Sequence, residues 1–174
     1  LFIPPPLSFK ALRGTGVSNP EMNFEKSGDC LSVANYWHSN GYCYAGTIDG
    51  ETGVIVIHPL TRNTGRFVSQ RLVVPSNAKT LKIKVANVAG KTPWNPRPCP
   101  DCDSGVRIEI TDLTDWSEHL LDDFIIAAKD GWVIKTYDIT EFAGKPVILN
   151  IYSYAGGTDS WNGEWTAIGS VTIE

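Results

Sequence analysis

Two short runs carry the residue types that could do chemistry. DSWNGEW places Trp161 and Trp165 among Asp159, Asn162 and Glu164, and PWNPRPCPDCDSG places Trp94 beside Asn95 and Arg97. A third, NYWHSNGYCYAG, crowds Tyr36, Trp37, Tyr42 and Tyr44 into one loop-like stretch. A sugar ring offers an apolar face of C–H groups and a fringe of hydroxyls. Trp and Tyr match the face, and Asn, Asp and Arg match the fringe. Trp94, Trp161, Tyr42 and Tyr36 are therefore the candidate stacking residues, with Asn95, Arg97, Asp159 and Asn162 as hydrogen-bonding partners. Trp132 and Trp165, at the starts of strand-like runs, read instead as core plugs, since Trp is largely buried on average.

Metal and catalytic patterns are thinner. Asp101-x-Asp103-x-Gly105 has the alternating oxygens of a partial calcium loop but lacks the bidentate Glu of a full one. An ordinary acidic turn whose carboxylates cap backbone amides is the simpler reading. His38, His58 and His119 lie far apart, and no Ser or Cys sits in a nucleophile elbow. Asp122 and Asp123 are neighbours, so on a strand they point to opposite faces. A glycosidase needs two carboxylates about 5–9.5 Å apart. Asp112 or Glu109 with another acid is the available source, and a small polysaccharide-active enzyme is the third reading.

These residues must be positioned by strands. Leu81, Ile83 and Val85 alternate with Lys82, Lys84 and Ala86; Val106, Ile108 and Ile110 alternate with Arg107, Glu109 and Thr111. Val147, Leu149, Ile151 and Ser153 face opposite to Ile148, Asn150 and Tyr152. Val54–His58, Arg66–Val74, Leu121–Ala128, Trp132–Ile139 and Thr166–Ile173 complete the set, divided by Gly, Pro and Asp. DLTDWSEHLLDDF, with Leu113, Trp116 and Leu120 at helical spacing, predicts at most one turn of helix. The expectation is an all-β chain, an antiparallel sandwich or barrel. Residues 89–104 form the longest irregular stretch, and long ordered loops tend to be functional.

The whole chain bounds the rest. Its 174 residues suit one domain. Residues 1–14, with Pro4, Pro5 and Pro6, read as an extended linker, and 15–174 as the domain. LFIPPPL is too short and proline-rich for a signal peptide, and without an initiating Met the chain reads as a mature protein or an excised domain. The net charge of −4 lacks the clustered basic face of a nucleic-acid binder. No run approaches the roughly 20 apolar residues of a membrane span. Four cysteines, Cys30, Cys43, Cys99 and Cys102, fit disulfides in an exported, extracellular setting. Cys30–Cys43 closes a loop of roughly fifteen residues, for which chain entropy gives about 3 kcal/mol. Cys99–Cys102 is then a local bridge. The competing zinc site wants two close pairs, and a redox CxxC wants a helix after it.

Several fragments, in order, resemble the galactose-binding-like β-jelly-roll superfamily of carbohydrate-binding modules. They are Asn19–Glu25 with its N-x-x-F-E-like pattern, then Trp37, Ser69–Gln70 running to Pro75, and Thr80–Ile83. Trp132, Tyr137–Lys145 and Trp165–Val171 follow. The resemblance covers most of residues 17–174 and implies a jelly roll that binds polysaccharide or oligosaccharide without chemistry. It implies a module of a larger exported, glycan-active or cell-surface protein, with Trp37 in the core. A structural or adhesion jelly roll without a glycan site is the alternative, because one fold serves many functions. The resemblance also implies a structural calcium ion held by Glu25, with Asp101 and Asp103 as further candidates. Gly169, however, stands where the family places a last-strand Asp.

Overall fold

The computed structural model describes residues 7–10, 27–28, 38–39, 43–92, 96–157, 161 and 163–174. Among these residues the chain forms β1 (Leu7–Lys10), β2 (Ser27–Gly28), β3 (His38–Ser39), β4 (Cys43–Ile48), β5 (Glu51–Ile57) and β6 (Arg66–Val73). It continues through β7 (Thr80–Asn87), β8 (Asp103–Asp112), β9 (Ser117–Ala127), β10 (Val133–Asp138), β11 (Pro146–Ala155) and β12 (Thr166–Ile173). Among the described residues, helix is limited to two single 3-10 turns, Ala128–Asp130 and Thr140–Phe142. Every pairing is antiparallel. One sheet runs β10-β7-β12-β5-β4-β2, with β1 also on β12, and the other runs β3-β6-β11-β8-β9. The fold is an antiparallel β-sandwich of the jelly-roll type.

The core lies between the two sheets. Ile55, Ile57, Leu81, Ile83, Val85, Ile168 and Val171 from the larger sheet meet Val68, Val106, Ile108, Ile110, Leu149 and Ile151 from the smaller. Each such side chain contributes about 1.5–3 kcal/mol through its burial. β5 reads Val54-Ile55-Val56-Ile57, an unbroken apolar run, because both its faces are covered. Val54 and Val56 join Ile48, Ala86, Val88 and Ala167 in a second cluster on the opposite face, with Trp132 and Trp165 packed against it.

Local chemistry sets the turns. Asp49 and Gly50 both adopt positive φ, 54° and 83°, and close the β4–β5 hairpin in two residues, with Ile48 opposite Glu51. The stretch with helical spacing is a turn followed by β9. Asp112 Oδ1 accepts from the Thr114 backbone N–H at 2.9 Å and its hydroxyl at 2.6 Å. Asp115 does the same for Ser117 at 2.9 and 2.6 Å. Two successive side-chain-to-backbone bonds outcompete helix formation there. Trp116 sits between them, exposed, at φ 62°.

Three other readings need adjusting. Cys43–Gly46, the end of the stretch expected as a loop, belongs to strand β4. Leu7–Lys10, inside the presumptive linker, pairs with β12 from Leu7–Ile173 to Lys10–Ser170. β9 begins at Ser117, four residues earlier than its apolar run suggests. The Asp122/Asp123 expectation holds: Asp122 accepts from the Tyr137 hydroxyl at 2.8 Å across the open edge between β9 and β10, whereas Asp123 faces the other way, toward Arg107.

Asp112 anchors the far end of the sandwich. It is 2% exposed, and Lys145 Nζ lies 3.1 Å from its Oδ2. The two Thr114 hydrogen bonds, aided by Lys145 and opposed by burial, hold its carboxyl down to about 2 from the ordinary 3.8. A depressed folded-state pKa stabilises above the unfolded value and loses that stabilisation as pH falls through the folded one. Asp112→Asn should therefore melt below wild type at neutral pH, and the two melting curves should converge between about pH 4 and pH 2. A gap unchanged over that window would show that the charge is not what matters.

Cys99 and Cys102 are bridged, with Cα atoms 5.3 Å apart. Cys30 lies outside the described residues. The β2–β4 register sets Gly28, two residues before it in sequence, opposite Cys43. With Cys99 and Cys102 committed to each other, Cys43 has Cys30 as its remaining partner. Peptide mapping without reductant should recover a Cys30–Cys43 cross-link, and a free thiol at either position would refute the pairing.

Candidate functional site

The pleat of the five-stranded sheet divides each strand between core and solvent. β11 sends Val147, Leu149, Ile151 and Ser153 inward, so Ile148, Asn150, Tyr152 and Tyr154 lie on the outer face. The registers then fix that face row by row. Tyr154 is opposite Gly105, which is opposite Ile125. Tyr152 is flanked by Phe67 and Arg107, and Arg107 is opposite Asp123. The next row joins Ser69, Asn150, Glu109 and Leu120, and the one after it Arg71, Ile148, Thr111 and Glu118.

Tyr152 and Tyr154 are half-buried, about 7 Å apart along the strand by the two-residue rise. The Phe67 ring lies 5.4 Å from that of Tyr152, tilted by 48°. Gly105 decides the posture of Tyr154: a Cβ there would fall inside the tyrosine ring, so only glycine lets the ring lie down across β8. A Cβ on Gly65 would come 2.8 Å from the Ser153 carbonyl oxygen. Gly65, Arg107, Asp123, Tyr152 and Tyr154 line a depression of about 290 Å³. That is at the small end for a ligand site, and it opens onto the sheet face, so it suits part of an extended ligand.

Its polar groups are held in place. Arg107 Nη1 lies 3.6 Å from Glu109 Oε1, and Nη2 lies 3.5 Å from Asp123 Oδ2. The Tyr154 hydroxyl donates to Asp123 Oδ1. Burial first, then that hydrogen bond and the Asp123 charge, push the Tyr154 hydroxyl up to about 12. Burial and the charges of Glu109 and Glu118 raise Tyr152 against an opposing pull from Arg107. Both phenols are therefore neutral donors at physiological pH. Asn150 Nδ2 donates to Thr111 Oγ1 at 3.3 Å. Aromatic faces bordered by fixed donors and acceptors can hold a flat ligand with one apolar face and a hydroxyl fringe.

The end turn is built differently. Asn87, fully buried, donates to the Gly163 carbonyl at 2.9 Å and Ser104 Oγ at 3.2 Å, and its Oδ1 accepts from the Ala89 N–H. Thr166 Oγ1 lies 2.9 Å from Ser104 Oγ and 2.8 Å from Ser153 Oγ. This polar layer ties β7, β8, β11 and β12 together at one end of the core. Gly163, at φ 86°, passes so close to the Cys99–Cys102 bridge that a Cβ would come 2.5 Å from Cys102 Sγ. Trp161 sits outside this knot, 36% exposed, edge-on to His58 at 5.2 Å; Trp165 packs on the other side of His58 at 4.4 Å. His58 donates from Nδ1 to the Pro59 carbonyl, and burial lowers its pKa.

Of the residues expected from sequence, Trp161 is exposed and Trp165 packs inward. Arg97 is exposed, its carbonyl against Gly90 and its loop beside the Gly163 turn. Trp94, Asn95, Tyr36, Tyr42, Asp159, Asn162, Glu25 and Cys30 lie outside the described residues. Asp101 is exposed, 3.1 Å from Lys129 Nζ, and Asp103 is buried against Gly156. Among the described residues no three His, Cys, Asp or Glu side chains converge on a metal position. Gly169, at a β-bulge, packs under Trp132, whose ring lies 3.1 Å from where a Cβ would sit. A side chain at Gly169 would therefore need the Trp132 ring to give by a few tenths of an ångström. Phe67, Tyr152, Tyr154, Arg107 and Asp123 were not among the candidates expected from sequence, and Glu109 was named only as a possible carboxylate source. The available signal was Tyr152-x-Tyr154 alternating with Ile151 and Ser153, which puts two aromatics on a solvent-facing strand surface.

No protein-family model and no curated protein matches the sequence. Solved structures do. The chain is similar to a CBM22-1 xylan-binding domain from Paenibacillus barcinonensis, at 14% identity over 88% of this chain and 90% of that one, with a TM-score of 0.53. That likeness establishes the fold. It is also similar to a mutant family 29 carbohydrate-binding module complexed with mannohexaose (15% identity, 97% and 92% covered, TM-score 0.49). A further similar structure is the cleaved adhesin domain of Lys-gingipain from Porphyromonas gingivalis (14% identity, 91% and 99% covered, TM-score 0.49).

The polar layer yields a stability test. Asn87→Ala leaves the Gly163 carbonyl and Ala89 N–H without their partner in the core, a loss of about 1–3 kcal/mol. Urea unfolding should show it, with a red-shifted tryptophan emission as the Trp161 turn loosens. A midpoint equal to wild type would show that the layer is not under stress.

Proposed function

We propose that this chain is a non-catalytic carbohydrate-binding module that takes a glycan across the outer face of its five-stranded sheet. The observation that carries the reading is the cluster of Phe67, Tyr152 and Tyr154 held outward beside Arg107, Asp123 and Glu109. The rings match the C–H faces of sugars, and the charged cluster matches their hydroxyls. Trp161, reached through Gly65–Arg66 and His58, lies at the same end of the sandwich and would extend the stacking surface. Asp123 and Glu109 serve as ion-pair and hydrogen-bond partners on an open face rather than across a cleft, so binding needs no bond cleavage. The disulfide supports an exported parent protein, in which this module would hold a neighbouring domain against its glycan. Glu25 stays the candidate for a structural calcium ion in this reading, independent of the sheet-face site.

The test is calorimetric titration with a panel of soluble neutral and acidic polysaccharides, with and without chelator. A few exposed stacking contacts leave Kd in the micromolar to millimolar range, roughly −8 to −4 kcal/mol. Tyr152→Ala and Tyr154→Ala should each weaken binding about tenfold, near 1.4 kcal/mol, with melting temperatures close to wild type. Unchanged binding in both, together with loss in Trp161→Ala, would move the site to the end turn.

A further inference from the structure

We infer that the sheet-face site selects neutral over acidic glycans, and that the Asp123–Arg107–Glu109 cluster sets the choice. The inference rests on the carbohydrate reading above and names the ligand class of that same site.

Arg107 is the cation lining the depression, and Arg is the side chain best shaped to grip a carboxylate with its planar fork. Here the fork is already engaged at both ends, by Glu109 at 3.6 Å and Asp123 at 3.5 Å. A uronate or sulfate ester reaching Arg107 must displace one protein carboxylate or lie beside it. Either leaves like charges close together on a half-buried surface, where screening is weaker than in open water. Glu118, opposite Thr111 two rows from Arg107 and in the same row as Arg71, adds a third carboxylate whose charge is felt at Tyr152. Arg71 is the other cation of the face and lies opposite Ile148, in a different row from the depression. The chain's net charge of −4 works in the same direction at long range.

A neutral sugar meets the same cluster without penalty. One hydroxyl can donate to a carboxylate while its neighbour accepts from the guanidinium, so an acceptor–donor–acceptor cluster accommodates adjacent hydroxyls. Tyr154 strengthens the arrangement by holding Asp123 from the side away from Arg107. Glu109 and Asp123 thus have two effects at once: they bind hydroxyls and repel anions.

The experiment compares Kd for soluble neutral β-linked glucan, mannan and xylan with Kd for polygalacturonate and alginate, at about 20 mM and about 500 mM salt, since the Debye length falls severalfold over that range. The expected result is at least tenfold tighter binding of the best neutral polymer at low salt, with the ratio shrinking at least threefold at high salt. Asp123→Asn and Glu109→Gln should shrink the same ratio at low salt, whatever they do to neutral binding itself. Polyuronate binding as tight as the best neutral polymer would overturn the inference. So would a preference that neither salt nor either substitution alters. A folded protein that binds no polymer of either class rejects the carbohydrate reading itself, and that outcome is distinct from the other two.

Discussion

The period-two pleat of β11 governs both the stability and the surface of this protein. One set of its residues, Val147, Leu149, Ile151 and Ser153, seals the core and joins the buried polar layer. The other set, Ile148, Asn150, Tyr152 and Tyr154, makes the outer face. A slip of one residue against β6 or β8 would send the tyrosines into the core and Leu149 and Ile151 to solvent. Burial therefore fixes the register, and the register fixes which side chains meet outside. Tyr152 stands beside Arg107 because Ile151 must stand beside Ile108. The outer face is a by-product of how the core closes.

The same logic explains what the sequence could tell. Alternation in Thr80–Asn87, Asp103–Asp112 and Pro146–Ala155 is legible because each strand buries one face, and burial is what composition records. β12 was legible to the residue at both ends because Trp165 and the final Ile173 frame an apolar run. β4 was not, since Cys43–Ile48 contains Gly46 and Tyr44 and shows no clean period. The turn at Asp112–Ser117 hid behind a helical spacing of Leu113, Trp116 and Leu120. There the decisive force was hydrogen bonding from Asp112 and Asp115 to the backbone two residues on, a local effect that hydrophobic period does not register.

The outer face was harder to read for a different reason. Tryptophan in polar loops attracts attention, whereas tyrosine in a strand looks like ordinary sheet composition. What makes Tyr154 unusual is its neighbour across the ladder. Gly105 was noted only as the turn residue of an acidic loop, yet in the sheet it is the vacancy that lets the ring lie flat. That role depends on register, and no single strand carries its own register in sequence. Asp123 is similar: its neighbour Asp122 closes the sandwich edge with Tyr137 and Lys135, while Asp123 turns outward to Arg107. Two adjacent identical residues acquire different functions because the pleat separates them.

A site on a sheet face differs physically from one on loop tips. Its side chains are held by the backbone ladder and by each other, so little conformational entropy is lost when a ligand arrives. The flat posture of Tyr154, the clamp on Arg107 and the Phe67–Tyr152 contact all exist before binding. An open platform, however, can cover only one side of its ligand, which limits the area removed from water and hence the affinity. Preorganisation and shallowness act in opposite directions, and for a tethered module the balance is useful. Under the proposed reading, weak contacts repeated along a polymer would keep a tethered module near its ligand while still allowing it to move, since effective concentration multiplies each binding event. In this chain the rigidity of that platform traces back to one constraint: β11 must keep its apolar side in.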